Sequence, residues 1–274
     1  LILKETKMAN IKIDSNSIIG IVGAGIMGRG IAQVAAKAGH QVILYDNWDG
    51  AVDNAMKINE KELSKLVEKK KMSQEQKDQT ISLMKPTMEI EDLAPCNLII
   101  EAIIENKEIK QEIFKKLENI CADVCIASNT SSISISALAN GLKRPDRIIG
   151  MHFFNPAPIM KLVEVISGLQ SDQQLIEDVH ALATSWGKKA VYVKSSPGFI
   201  VNRIARPFYA EALRLYEEGV SDFATIDEVI RTSGKFRMGP FELMDLIGND
   251  TNYSVTASTF DSYYQDPRFK PSLT

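Results

Sequence analysis

A glycine-rich turn between two predicted strands constrains the fold of this chain more than any other feature. An apolar run at 17–22 (SIIGIV) predicts a buried strand, and the segment 23–28 (GAGIMG) follows it and leads into an alanine-rich helix at 31–38. A second strand, 41–45 (QVILY), ends at Asp46. A strand, a GxGxxG turn, a helix and a second strand that ends in an acidic residue together indicate a dinucleotide-binding unit.

Each glycine of this turn has its own steric role. Gly23 permits the tight turn, Gly25 lets a pyrophosphate approach the backbone, and Gly28 lets the helix pack on the strand. The helix N-terminus supplies N–H groups to the phosphates. We therefore predict cofactor contacts at Gly23, Gly25, Ile26, Met27 and Gly28. A glycine-rich turn without a ligand is the alternative interpretation.

Asp46 indicates which dinucleotide would bind. Its carboxylate would accept hydrogen bonds from the adenosine ribose hydroxyls. A 2′-phosphate would meet the same negative charge, and no Lys or Arg occurs between Asp46 and Lys57 to offset it. The sequence therefore predicts NAD rather than NADP. A strand-end aspartate without a ligand is the alternative.

Strands and helices alternate up to about residue 194. Further strands are predicted at 97–101, 124–128, 147–152, 162–166 and 189–193, and helices at 106–119, 133–140 and 172–186. This alternation predicts an α/β fold with a Rossmann-type parallel sheet. Two charged helices at about 49–85 form an inserted hairpin.

The turn cluster at 195–198 (SSPG) is the best candidate domain boundary. No strand pattern follows it, and apolar residues recur at helical spacing. The predicted apolar face of the first helix consists of Val201, Ile204, Ala205, Phe208, Ala212 and Leu215. We predict a NAD-binding domain at 8–196 and an all-helical C-terminal domain at 197–274, which we interpret as truncated. Residues 1–7 precede Met8, which resembles a natural start, and we interpret them as an extension.

Composition and charge exclude several classes of protein. The 274 residues carry 32 Lys and Arg against 35 Asp and Glu, so the net charge of −3 lacks the basic excess of a nucleic-acid binder. No apolar run reaches the ~18 residues of a membrane-spanning helix. Cys96, Cys121 and Cys125 are too few for a disulfide framework and have no His beside them to form a metal site. We expect reduced thiols in a cytoplasmic protein without a metal, and His40 and His180 at the surface.

Four segments carry polar residues where packing alone would not place them. Ser131 lies in SNTSS, His152 in MHFFNP, Glu164 in KLVEVI and Asn202 in SPGFIVNR. Together with GAGIMGRGIA, EAIIENKEIK and MGPFELMDLIG, these segments strongly resemble the 3-hydroxyacyl-CoA dehydrogenase family, in the family's order and over about residues 16–270.

The resemblance implies an enzyme that oxidises an L-3-hydroxyacyl-CoA to a 3-ketoacyl-CoA with NAD, with Ser131, His152, Glu164 and Asn202 as its catalytic residues. The chemistry supports this assignment. Histidine is the side chain most often used as a general base, and a carboxylate in an apolar strand is costly unless it has a partner such as an imidazole. Ser131 and Asn202 can hydrogen-bond the substrate oxygen. Taken singly, each of the four has a structural alternative, such as capping of helix 133–140 by Ser131.

Five further roles follow from the resemblance alone. They are those of Glu105, Lys110, Ser131 and Asn155 at the NAD site, and of Lys69 at the CoA moiety. The run at 69–71 (KKK) would suit the acidic phosphates of CoA, and many members carry Gly at the position of Lys70. A solvated charged turn is the alternative interpretation. A homodimer formed through the helical domain is expected from the family.

The C-terminal part points to one branch of the family. The segments RMGPFELMDLIGND and YYQDPRFKPS most resemble longer bacterial members of phenylacetate degradation, which act on 3-hydroxyadipyl-CoA. The family continues into a further helix and a Gly-Arg-Lys tail, whereas this chain ends at Thr274. A terminal carboxylate on the substrate needs a cation, for which Arg237 is the first candidate and Lys235 the second. A surface or interdomain position is the alternative for Arg237.

Three other functions stay open at this point. They are a short-chain 3-hydroxybutyryl-CoA dehydrogenase, a related β-hydroxyacid dehydrogenase with a lysine base, and a non-catalytic NAD-binding member of the fold. The His152 and Glu164 pair argues against a lysine base, and the presence of all four catalytic residues argues against loss of activity. We expect an acyl-CoA partner, no nucleic acid and no membrane.

Overall fold

The apolar runs of the first half form one sheet because short strands rich in Ile, Val and Leu can be buried on both faces. In the computed structural model the strands are β1 (Ile19–Val22), β2 (Val42–Tyr45), β3 (Met84–Thr87), β4 (Leu98–Glu101), β5 (Cys125–Ser128), β6 (Ile148–Phe153), β7 (Leu162–Ser167) and β8 (Lys189–Lys194). Their order in the sheet is β3-β2-β1-β4-β5-β6-β7-β8. Every residue of β1, β2, β4 and β5 is buried. This is the Rossmann-type α/β sheet that the sequence predicts.

The structure describes residues 11–121 and 123–272. The predicted extension at 1–7, Met8 and the chain end at Thr274 lie outside the described residues. The chain separates into two units, one ending at Ser195 and the other beginning at Ser196.

Helices connect the strands of the first unit. They are α1 (Ile26–Lys37), α2 (Ala51–Glu68), α3 (Gln74–Ser82), α4 (Lys107–Ile120), α5 (Ile135–Ala139) and α6 (Gln173–Ser185). Side chains cap the starts of α3, α4, α5 and α6. Ser73 and Gln76 form a reciprocal capping box at α3, and Asn106 and Asp172 cap α4 and α6. The helices α2 and α3 form the hairpin predicted between β2 and the strands that follow.

Two features of the sheet differ from the sequence expectation. No strand is predicted at 84–87, yet β3 forms there; it contains Pro86 and pairs only with β2, so it lies at the sheet edge, where a missing N–H is tolerated. Strands β6 and β7 are antiparallel in an otherwise parallel sheet. The connection at 154–161 is too short for the crossover that parallel neighbours require.

The placement of His40 also differs from expectation. His40 is buried, and its Nδ1 lies 2.9 Å from the carbonyl oxygen of Ser17. Its ring packs edge-on against the ring of Trp186, so His40 belongs to the packed interior and not to the surface. Cys96 and Cys121 are buried as well, and burial raises the pKa of the Cys96 thiol to about 12 and that of Cys121 to about 11.

The second unit is helical, as predicted from the missing strand pattern. It contains α7 (Val201–Glu217), α8 (Phe223–Thr232), α9 (Pro240–Ile247) and α10 (Asn249–Ser262). The predicted apolar face of α7 is only partly correct, because Ile204 is 68% exposed while Arg206, Tyr209 and Ala210 are buried. Apolar periodicity cannot identify a buried arginine whose head is held by hydrogen bonds. None of the helices within the described ranges is long and apolar enough to cross a membrane.

Candidate active site

The chemistry-bearing segments of the first unit follow the carboxyl ends of neighbouring strands. The glycine turn follows β1, Asp46 follows β2, Glu105 lies after β4, and Ser131 lies after β5. These four strands are parallel, so their carboxyl ends meet at one edge of the sheet. The strand order reverses between β1 and β4, which is where open α/β sheets bind their ligands.

The glycine turn has the geometry that each of its glycines predicts. Gly23 has a φ of 104°, a left-handed conformation that favours glycine. A Cβ added at Gly28 would lie 1.7 Å from the carbonyl oxygen of Gly23, so any larger residue would push α1 away from β1. A Cβ at Gly25 would meet nothing within 4 Å. Gly25 therefore faces open space, and no side chain caps the start of α1 at this point.

Asp46 is tied to the glycine turn. Its Oδ2 accepts a hydrogen bond from the backbone N–H of Ala24 at 2.7 Å, and its Oδ1 accepts one from that of Trp48 at 2.9 Å. The carboxylate therefore lies beside the turn, where the ribose of a dinucleotide is expected relative to its pyrophosphate.

A buried ion pair lies beneath the loop that follows β4. The Lys110 ammonium is 1% exposed and donates to Glu101 Oε1 at 2.5 Å, and it lies 3.3 Å from Glu105 Oε2. Glu101 also accepts from the Ser128 hydroxyl at 2.6 Å and from the Ile103 N–H at 2.8 Å. Every charge in this group has a partner, as a buried ion pair requires.

Glu105 connects that ion pair to the loop that carries Ser131. Its Oε1 accepts from the Thr130 hydroxyl at 2.6 Å and from the Ser131 N–H at 2.9 Å, with the Ser131 hydroxyl at 3.3 Å. Burial raises the pKa of the Glu105 carboxyl, but the Lys110 charge and these hydrogen bonds outweigh burial and hold it below its ordinary value. The helix that follows is capped by Ser134, not by Ser131, which removes the capping explanation for Ser131.

His152 and Glu164 face each other across the antiparallel pair of β6 and β7. His152 Nδ1 lies 2.7 Å from Glu164 Oε2, and the two side chains are 7% and 0% exposed. A carboxylate only accepts hydrogen bonds, so Nδ1 donates in this contact, and in a neutral imidazole Nε2 is then the basic nitrogen. The pair has the arrangement of an imidazole base oriented by a carboxylate.

Lys188 holds the loop that follows β6 in place by hydrogen bonds. Its Nζ donates to the carbonyl oxygens of Ala157 at 2.5 Å and Met160 at 2.9 Å, and burial lowers the pKa of this ammonium. Asn155, at the start of this loop, is exposed. The loop that carries Asn155 is therefore fixed by two hydrogen bonds from one buried lysine.

The predicted CoA-binding lysines lie at the tip of the hairpin. Lys69 ends α2, and Lys69, Lys70 and Lys71 are all exposed. Lys70 has a φ of 55°, a left-handed conformation that favours glycine, in agreement with the Gly that many family members carry there.

Asn202 and Arg237 belong to the second unit. Asn202 lies in the first turn of α7 and its backbone carbonyl accepts from Arg206 Nε at 3.2 Å. Arg237 and Lys235 are exposed in the turn between α8 and α9. Their predicted contact with a substrate carboxylate stays a prediction.

Sequence reasoning missed three residues of these networks. Glu101 is the last residue of the predicted strand 97–101, and a carboxylate at the end of a buried strand is itself a signal of a buried partner. Lys188 gave no signal in the sequence. Arg206 lies among apolar residues of α7, and its burial follows only from the packing of the second unit.

Comparisons with known proteins agree with these observations. The family models for the NAD-binding domain and for the C-terminal domain of 3-hydroxyacyl-CoA dehydrogenase match residues 18–196 and 198–274. The 3-hydroxyadipyl-CoA dehydrogenase of Escherichia coli (strain K12) is 46% identical over 256 residues, which cover 93% of this chain and 54% of that protein. The 3-hydroxybutyryl-CoA dehydrogenase of Clostridioides difficile is 44% identical over 238 residues, which cover 86% and 85%.

A crystal structure of a 3-hydroxybutyryl-CoA dehydrogenase from Escherichia coli K12 is similar to this chain with a TM-score of 0.93 and 45% identity. The match covers 94% of this chain and 55% of that one. This chain thus spans about half the length of both Escherichia coli relatives. Both family models and the relatives agree in their assignment: the chain belongs to the 3-hydroxyacyl-CoA dehydrogenase family.

Proposed function

We propose that this protein oxidises an L-3-hydroxyacyl-CoA to the 3-ketoacyl-CoA with NAD. The observation that carries the proposal is the 2.7 Å contact between His152 Nδ1 and Glu164 Oε2 in two neighbouring strands. Membership in the 3-hydroxyacyl-CoA dehydrogenase family supports the reaction class.

The residues of the first unit fit NAD. Gly25 leaves open space at the start of α1, which an approaching pyrophosphate can use. Asp46 would hold the adenosine ribose, and the group of Glu105, Lys110 and Ser131 would line the nicotinamide end, together with Asn155. When bound, NAD supplies the acceptor for the hydride that leaves C3 of the substrate.

His152 performs the proton transfer in this proposal. Its Nε2 takes the proton of the C3 hydroxyl while the C3–H bond breaks and the C3–O bond becomes a carbonyl. The imidazolium that forms stays hydrogen-bonded to the Glu164 carboxylate, which stabilises its charge. Ser131 and Asn202 donate hydrogen bonds to the substrate oxygen. No step requires a metal.

The substrate is a CoA thioester whose phosphates bind the lysines at 69–71. For the acyl chain, the 46% identical relative named 3-hydroxyadipyl-CoA dehydrogenase favours a dicarboxylic chain. A short 3-hydroxybutyryl chain is the second candidate, because this chain spans 85% of the relative of that name from Clostridioides difficile.

A homodimer formed through the helical unit and a cytoplasmic location complete the proposal. Large apolar side chains of this unit are exposed in the single chain, including Leu246 at 71% and Tyr253 at 61%. Covering such side chains would be favourable in a dimer.

Nicotinamide absorbance in assays of 3-hydroxybutyryl-, 3-hydroxyhexanoyl- and 3-hydroxyadipyl-CoA tests the reaction. His152→Ala should lower kcat about 10²–10⁴-fold, because a positioned general base contributes that much, and should leave NAD binding in place. His180→Ala, at a half-buried histidine that stacks on Tyr192, is the matched control. No NAD-dependent turnover of any thioester, or full turnover by His152→Ala, would contradict the proposal.

A further inference from the structure

Arg206 is a buried cation that has no charged partner among the described residues. Its side chain lies in α7 and the residue is 3% exposed. Its Nη1 donates to the Asn252 carbonyl at 2.9 Å, to Asn252 Oδ1 at 2.7 Å and to Thr256 Oγ1 at 2.8 Å. Its Nε donates to the Asn202 carbonyl at 3.2 Å, and the guanidinium lies 5.0 Å from the centre of the Tyr209 ring. All of these partners are neutral.

The hydrogen bonds of Arg206 leave one nitrogen unused. Arginine has five N–H donors, and among the described residues no acceptor bonds Nη2. Within the same residues, no carboxylate lies within 4.0 Å of the guanidinium. Burial of the guanidinium lowers the pKa of Arg206. Asn252 Nδ2 is a second buried donor without a partner among the described residues. Two unused donors beside a cation fit an anionic acceptor.

A cavity of about 690 Å³ lies next to this guanidinium, inside the helical unit. Arg206, Tyr209, Asn252 and Thr256 line it. Of the carboxylates that line it, Asp227 accepts from the N–H groups at the start of α9, Glu242 accepts from Arg231, and Asp245 is exposed. The cavity therefore has both the volume for part of a ligand and a buried charge to bind it.

The spacing of Arg206 from Asn202 matches one class of substrate. The two residues lie four positions apart on α7, so they are separated by about one helical turn, or ~5.4 Å along the axis. In a 3-hydroxyadipyl chain, three carbon–carbon bonds of ~1.5 Å lead from the C3 carbon to the terminal carboxyl carbon. A chain whose C3 oxygen is bound by Asn202 would therefore bring its carboxylate within reach of Arg206.

We propose that Arg206 binds the terminal carboxylate of a dicarboxylic 3-hydroxyacyl-CoA and so determines the preference for that chain. This inference rests on the proposed function, which gives Asn202 its contact with the substrate oxygen. Nη2 of Arg206 donates to the carboxylate, and Asn252 and Thr256 hold the guanidinium in place. The buried Arg206 takes the role that sequence reasoning gave to the exposed Arg237.

The test compares two substrates of equal chain length, 3-hydroxyadipyl-CoA and 3-hydroxyhexanoyl-CoA. The measured quantity is the ratio of their kcat/KM values, because damage to Asn202 or to the fold lowers both values together. The wild-type enzyme should favour the dicarboxylate, and Arg206→Met should lower the ratio about 10–100-fold, as expected for loss of a charged hydrogen bond. An unchanged ratio would mean that Arg206 only holds α7 to α10.

A second variant keeps Arg206 and gives its guanidinium a counter-charge from a neighbouring side chain. Asn252→Asp places a carboxylate where Oδ1 now lies, 2.7 Å from Nη1. A structural role for Arg206 would tolerate this change, since the new ion pair strengthens the same contact. A substrate-binding role would be weakened, because the guanidinium would already have a counter-charge and the substrate carboxylate would be repelled. We expect the ratio to fall in Asn252→Asp even if Arg206→Met fails to fold.

Two further arms separate the remaining outcomes. Arg237→Met is the matched control, and a fall in the ratio there but not in the Arg206 and Asn252 variants would overturn the proposal in favour of the exposed arginine. Free adipate tests whether Arg206 belongs to a site that binds carboxylic acids apart from the substrate. The proposal would also be overturned if adipate inhibits the wild-type enzyme, Arg206→Met abolishes this inhibition, and the ratio of kcat/KM values does not change. A wild-type enzyme that oxidises both thioesters equally contradicts this inference alone, whereas one that oxidises neither of them nor 3-hydroxybutyryl-CoA contradicts the proposed function.

Discussion

His152 on β6 and Glu164 on β7 lie directly opposite each other, and their side chains meet at 2.7 Å inside the sheet. This relationship depends on the antiparallel pairing of the two strands. Directly opposite residues of an antiparallel pair project to the same face of the sheet with adjacent Cβ atoms. The register between β6 and β7 thus brings together the two side chains of the proposed catalytic base.

Glu164→Gln should lower kcat about 10–100-fold and change KM for the acyl-CoA less. The Gln amide can still accept from Nδ1 but no longer stabilises the imidazolium with a full charge, a difference of about 1.5–3 kcal/mol. Steady-state kinetics with NAD at saturation would measure it. Glu177→Gln, an exposed carboxylate on α6, should behave as wild type. A wild-type kcat in Glu164→Gln would remove the carboxylate from the mechanism.

Gly25→Ala and Gly28→Ala should separate cofactor binding from folding. A Cβ at Gly25 meets no protein atom within 4 Å, so the free energy of unfolding should stay within about 0.5 kcal/mol of wild type. The same methyl group would occupy space needed by the pyrophosphate, so the Kd for NAD should rise. Gly28→Ala should instead destabilise the first unit, because its Cβ would overlap the Gly23 carbonyl. Denaturant unfolding and calorimetric NAD titration provide the two measurements, and unchanged NAD binding in Gly25→Ala would contradict the predicted phosphate position.

Asp46 should make the enzyme select NAD over NADP by about one to three decades in kcat/KM. A carboxylate at ~4 Å from a 2′-phosphate costs roughly 1–4 kcal/mol, depending on the effective dielectric. Asp46→Asn keeps an oxygen to accept the Ala24 N–H but removes the charge, so the selectivity should decrease by a large part of that range. Equal efficiencies of the wild-type enzyme with the two cofactors would show that Asp46 does not bind the ribose.

Replacing Lys69, Lys70 and Lys71 together by Ala should raise KM for acyl-CoA and weaken its dependence on salt. The three ammonium groups are exposed point charges, so their attraction for the CoA phosphates is screened by ions. A truncated thioester without the nucleotide is the control substrate, and its KM should not change. Equal effects on both substrates would indicate damage to the hairpin instead of a CoA contact.

Glu105→Gln should make stability less sensitive to acid. The Lys110 charge and the hydrogen bonds from Thr130 and Ser131 hold the pKa of Glu105 below its ordinary value of 4.5 in the folded protein. The folded state therefore binds fewer protons than the unfolded state near and below pH 4.5, and the stabilisation from Glu105 is lost as the pH falls through the folded pKa. Denaturant unfolding between pH 7 and pH 3 should show a steeper loss in the wild type than in Glu105→Gln. Parallel curves would contradict the assignment.

The sequence could predict the parts of the site that depend on local backbone geometry. The positions of the glycine turn and Asp46 could be predicted because the steric demands of a strand–turn–helix unit act on residues that are adjacent in the sequence. The roles assigned to Ser131, His152 and Asn202 came from the resemblance, and they stay predictions until the variants are measured.

Other parts could not be predicted because they depend on contacts between distant segments. A proline such as Pro86 is disfavoured inside a sheet, yet the edge position of β3 makes it acceptable. The buried position of His40 depends on Trp186, which lies far along the chain. Periodicity identifies neither the edge position of β3 nor the contact between His40 and Trp186.

By itself, the amino-acid sequence determined the order of strands and helices apart from β3, the dinucleotide-binding turn and the change to a helical second unit, since these follow from local sterics and hydrophobic spacing. Only the tertiary structure decided which charges are compensated. Glu101 pairs with Lys110, whereas the partners of Arg206 within the described part of the chain are all neutral, and both facts arise where strands or helices from separate segments pack together. Burial removes water from such groups, so the position of each partner, which local sequence does not encode, sets the free energy of the charge.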